Sequence, residues 1–94
     1  MVNALNGKLW FVDTLDADVI DDKHLFVKSI RWVGGASSVA GNALIIRDPV
    51  LNTTLWESTA SGANYVEKDL EETSWPNGFE VPTIDVGNLY ITLR

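Results

Sequence analysis

His24 is the chain's single histidine, and it follows the carboxylate pair Asp21-Asp22 by two residues. An imidazole near carboxylates is raw material for a general base or a metal ligand, because its proton exchanges close to neutral pH. A nucleophilic mechanism also needs a hydroxyl or thiol held against that ring. The chain has no cysteine, and no serine is spaced to suggest such a pairing. His24 therefore reads as an ordinary histidine at the start of a strand. Asp16, Asp18, Asp21 and Asp22 form the densest acidic run. Calcium collects six to eight oxygens, often from closely spaced acidic loop residues. Here Val19 and Ile20 interrupt the run and no glycine turns it, so it reads as a solvated acidic loop or short edge strand. Glu67, Asp69 and Glu71 recur every second residue and would share one strand face. A catalytic carboxylate pair needs burial to separate its two pKa values, and nothing in this segment signals burial. Neither GxxxxGK[ST] nor GxGxxG is present to cradle a phosphate. The expectation is a non-enzymatic chain with no catalytic residue, no cofactor and no metal.

Aromatic residues are the remaining chemical resource. Four tryptophans in 94 residues, Trp10, Trp32, Trp56 and Trp75, exceed what a small core needs. Tryptophan is enriched at protein interfaces and on sugar-stacking surfaces as well as in cores. Two of the four are expected in the core. Trp75, beside a turn, is the expected exposed ring, and with Asn77 it is the place where a carbohydrate platform would lie.

Composition narrows the classes further. The chain is long enough for one domain, 1–94, and 46% of it is hydrophobic, which argues against disorder. The formal net charge of −6 repels phosphate backbones and anionic lipid headgroups. The seven basic residues are scattered along the sequence, so nucleic acid is not an expected partner. Residues 1–10 lack the basic and apolar regions of a secretory signal, and no apolar run approaches the ~20 residues of a membrane helix. The sequence reads as a soluble protein with no membrane partner.

The elements that would position these residues are short and β-like. Ala43–Asp48 and Thr53–Ser58 flank Pro49-Val50-Leu51-Asn52, the pattern of a β-hairpin with a medium-length loop. Leu9–Val12 is a four-residue apolar run. His24–Val33 is the longest strand candidate, with Phe26, Ile30 and Trp32 expected inward and a bulge or twist allowed midway. Gly34–Asn42 and Ser61–Asn64 are loops of small residues. Tyr65–Glu72 alternates as a strand, with a helix as the competing reading because Val66 and Leu70 are four apart and Glu and Lys are good helix formers. Trp75-Pro76-Asn77-Gly78-Phe79 is a turn in which Pro presets φ and Asn-Gly tolerates positive φ. Phe79–Val86 is a strand whose Pro82 demands an edge or a bulge. Gly87-Asn88 reads as a two-residue hairpin turn into a closing strand over Leu89–Leu93. The fold class is all-β: a single antiparallel β-sandwich, jelly-roll-like, of about seven to eight short strands, with a barrel as the alternative.

One resemblance accompanies this reading. The succession Ile30-Arg31-Trp32, Ala43 to Asp48, Leu55-Trp56-Glu57-Ser58, Gly62-Ala63-Asn64-Tyr65 and Leu89-Tyr90-Ile91 resembles small β-sandwich virion proteins of tailed bacteriophages. It covers most of the chain after His24. The resemblance implies a capsid decoration (cement) protein, a homotrimer on the outer capsid surface, assembled in the host cytoplasm with the major capsid protein as partner. Small head-tail or tail components are the neighbouring role. It further implies aromatic interface anchors, for which Trp10, Phe11, Tyr65 and Trp75 are the expected residues. A carbohydrate-binding β-sandwich module is the alternative from another class.

Overall fold

A computed structural model describes residues 3–13, 16–36, 38–69 and 72–94. Ten strands are assigned among them: β1 (Ala4–Asn6), β2 (Leu9–Val12), β3 (Asp16–Asp21), β4 (Leu25–Val33), β5 (Ala43–Arg47), β6 (Thr54–Thr59), β7 (Val66–Asp69), β8 (Thr73–Trp75), β9 (Phe79–Ile84) and β10 (Asn88–Leu93). They form two antiparallel sheets packed as a small β-sandwich. The larger sheet runs β1-β2-β10-β4, and β4's far edge is shared by β7 and β8. The smaller sheet runs β3-β9-β5-β6. The strand count exceeds the expected seven to eight because β1 is added and β7 and β8 pair separately with the two ends of β4.

Only β1–β2 and β5–β6 are hairpins between successive strands. The last two strands complete both layers: β9 lies between β3 and β5, and β10 between β2 and β4. This corrects the expected hairpin at Gly87-Asn88. Gly87 carries the chain from the smaller sheet to the larger one, so β9 and β10 do not pair. Its φ of 84° needs glycine, and a Cβ there would strike the Val33 carbonyl and the Tyr65 hydroxyl. Gly78 does the same work between β8 and β9. Its φ is 74°, its amide donates to the Trp75 carbonyl at 3.2 Å, closing a tight turn, and a Cβ would strike the Asp21 backbone.

The face change within β4 has a visible cause. Thr92 pairs with Ser29 but Leu93 pairs with Val27, so Lys28 is the extra residue of a β-bulge. Before it, Leu25 and Val27 point inward; after it, Ile30 and Trp32 do. Phe26 is thereby turned out and is 51% exposed, contrary to its expected inward position. Pro82 is accommodated within an interior strand. Ile45 pairs with Thr83 and Arg47 with Glu80, so the register slips across Val81-Pro82 and no ladder donor is demanded of the proline.

The core lies between the layers. Val12, Ile30, Trp32, Leu89 and Ile91 come from the larger sheet, and Leu44, Ile46, Phe79 and Val81 from the smaller. Three tryptophan N–H groups bind the layers together: Trp10 Nε1 donates to Asp21 Oδ2 (3.0 Å), Trp32 Nε1 to the Val86 carbonyl (2.9 Å) and Trp56 Nε1 to Asp69 Oδ2 (3.3 Å). An indole so placed buries its ring while its one donor is satisfied.

Candidate functional site

Cross-strand partners in a sheet project to the same side. In the larger sheet the register sets Ala4 against Phe11, Phe11 against Tyr90, Tyr90 against Arg31 and Arg31 against Lys68. The neighbours Trp32 and Ile91 are fully buried, so this row crosses the outside of the sheet. Next to it run Leu9, Thr92 and Ser29, and on the other side Val33 and Val66. No outward position on these strands carries Asp or Glu, although the chain holds thirteen acids and seven basic residues.

Four of the seven basic residues that looked scattered in sequence gather on this side. Arg31 and Lys68 sit in the row, and Lys28 is exposed at the bulge. Arg94 places its guanidinium carbon 5.9 Å from the Phe26 ring, and Arg31 places its own 5.0 Å from the Tyr90 ring. Phe11 and Tyr90 pack together with centroids 5.4 Å apart and planes tilted by 58°. His24 stacks on Phe26 at 4.7 Å. The result is an aromatic and cationic face on an otherwise acidic protein. A shallow depression between β4 and β7 opens beside Arg31 and Lys68, with Ser29, Ile30 and Asp69 completing its lining.

Of the four expected anchors, only Phe11 belongs to this face. Tyr65 is 2% exposed, because β7 enters at the sandwich edge and turns the ring onto Trp32 at 4.5 Å. Its hydroxyl donates to the Val86 carbonyl (3.1 Å), and burial, then the nearby Glu67 carboxylate, push its pKa up to about 12. Trp75 is also 2% exposed and packs on Phe79 at 5.6 Å. The turn after it crosses between sheets, so the ring is pulled under the turn rather than left outside. This removes the exposed Trp75 ring and with it the Trp75–Asn77 sugar platform. Asn77 is itself committed, donating to Asp48 at 3.2 Å. Trp10 is half-buried, edge-on to Phe79 at 5.7 Å.

No family model, curated protein or solved structure matches the chain. Asp21 is a structural acceptor, taking the Trp10 N–H and the Lys23 amide (2.9 Å). The side chains of Asp16 and Asp18, and all of Glu71, lie outside the described residues. Among the described residues no three His, Asp or Glu side chains converge as metal ligands.

Sequence reasoning missed a polar cluster at the β5–β6 turn. Asp48 is 1% exposed, and its Oδ1 accepts the amides of Val50 and Leu51, both at 2.8 Å. Burial pushes its pKa up, but the Leu51 amide, the Asn77 side chain and the Val50 amide outweigh it and hold the carboxyl below its ordinary value. Beside it Arg47 pairs with the buried Glu80 across β5 and β9. The Asp-Pro pair before a loop was the available signal, since aspartate often accepts amides two and three residues ahead. The Glu80 pairing depends on the β9 register and has no local signal.

Proposed function

We propose that the chain is a non-enzymatic structural protein of a phage virion, a capsid decoration protein that docks on the major capsid protein from outside the shell. One observation carries the reading: the outer face of the larger sheet is aromatic and cationic and has no outward carboxylate, in a chain of net charge −6. A face of that composition supports protein docking, since aromatic residues and arginine are the side chains most enriched at interface centres. In this role the chain acts as a homotrimer on the particle. Each docking event need only be modest, because repetition over the shell converts it into particle stability.

The test mixes the purified chain with shells of the major capsid protein encoded by the same genome and pellets them. Saturable co-sedimentation near about 10 μM or below supports the decoration role, that affinity corresponding to about 7 kcal/mol. Chain that stays in the supernatant at that concentration overturns it. Pelleting with isolated tails instead of shells assigns the chain to the tail.

A further inference from the structure

We infer that the outer face of the larger sheet recognises a carboxylate-rich protein surface, with Arg31 and Lys68 as the ion-pairing residues. This rests on the docking role above and names the chemistry of its partner. Arg31 and Lys68 are direct cross-strand partners. Like charges set opposite each other weaken a sheet. Neither is paired with a carboxylate among the described residues, where Arg47 pairs with Glu80. The arrangement lowers the stability of the free protein, and an external carboxylate between the two cations would relieve it.

The arginine is also prepared for such a contact. Its guanidinium rests over the Tyr90 ring at 5.0 Å, and Tyr90 is in turn braced by Phe11 at 5.4 Å. Stacking fixes the plane and leaves the guanidinium edge available, so little freedom is lost when it takes a carboxylate through two N–H groups. The depression between β4 and β7 opens at this point. Asp69, which also lines it, is turned to the Trp56 N–H.

Charge distribution favours carboxylates over a phosphate backbone. A nucleic-acid strand carries closely spaced charges well beyond a few cations and would meet the long-range repulsion of a −6 chain. A second copy placed face to face would oppose Arg31 and Lys68 with the same cations. A protein surface can instead present two or three carboxylates within the face and nothing beyond it.

The experiment measures fluorescence anisotropy with a labelled ten-residue serine-glycine peptide carrying three central glutamates and with a labelled ten-residue oligothymidylate, at low and physiological salt. The triglutamate peptide should bind more tightly than the oligonucleotide and weaken as salt rises. Lys68→Glu should lower its affinity at least tenfold and raise the melting temperature, because it turns a like-charged pair into an opposite one. Arg31→Gln with Lys68→Gln should also lose binding while remaining folded. Glu57→Gln, on the smaller sheet, should bind as wild type. Tighter binding of the oligonucleotide overturns the inference in favour of nucleic acid. Unchanged triglutamate affinity in the Lys68→Glu or double-glutamine variant overturns it outright. Shell pelleting reads the other claim separately. Chain that pellets yet ignores the triglutamate peptide retains the decoration role and loses its carboxylate chemistry. Chain that binds the triglutamate peptide yet ignores shells does the reverse.

Discussion

The carboxylate of Asp48 is almost wholly buried and still favours its charge, because two backbone amides and the Asn77 amide point at it. Its folded pKa lies below the ordinary 3.8. The linked stability is therefore fully present above that pH and is lost as pH falls through the lower folded value. Replacing Asp48 by Asn removes the charge and sets the new NH2 group against the Asn77 NH2, at a cost of about 1–3 kcal/mol near neutral pH. Denaturant titrations from about pH 6 to pH 2 should show the wild-type advantage over Asp48→Asn shrinking below the ordinary aspartate value. An advantage that is constant over that range would mean that the contacts do not favour the charged form. Tyr65 behaves oppositely. Its pKa is raised to about 12, so the stability tied to its neutral form is intact below about pH 10 and declines as pH rises toward 12. Ultraviolet titration should show a late tyrosinate phase near pH 12 that Tyr65→Phe abolishes.

At the scale of elements, the closing strand supports more of the fold than its length suggests. β10 pairs with β2 on one side and β4 on the other, and it buries Leu89 and Ile91 completely. Truncation after Val86 would leave β2 and β4 each unpaired along one edge and open the core between them. The expected outcome is loss of the cooperative unfolding transition by circular dichroism. Ile91→Ala, a milder change, should cost about 2–5 kcal/mol, a large part of the stability of a domain this size. Some of this architecture was legible in the sequence. The Ala43–Ser58 hairpin, the Trp75–Phe79 turn and the need for an edge or a bulge at Pro82 all follow from local chemistry; the structure has the hairpin and the turn, and at Pro82 it takes the bulge. The fate of Gly87 was not legible, because a positive-φ glycine serves a hairpin and a crossing between sheets equally well. Likewise the sign of the Phe26 face depends on a bulge set by register with Thr92 and Leu93, more than sixty positions away. Arg31 and Lys68 were invisible as a pair for the same reason: only the β4–β7 ladder makes them neighbours.

At the scale of the whole molecule, charge is separated by side. Four of the seven basic residues, Lys28, Arg31, Lys68 and Arg94, lie on or beside the outer face of the larger sheet, and no outward position on its strands carries Asp or Glu. This separation divides association between copies from docking on a partner. Copies that met through this face would stack cation on cation, so the proposed homotrimer has to use other surfaces. Light scattering after size-exclusion chromatography, over a dilution series, should give a trimer whose mass is unchanged in the Lys68→Glu variant. A strict monomer at high concentration would argue against a preformed trimer and direct attention to assembly on the shell. A trimer that dissociates on Lys68→Glu would place the cationic face inside the oligomer, where it would not be free to meet the capsid.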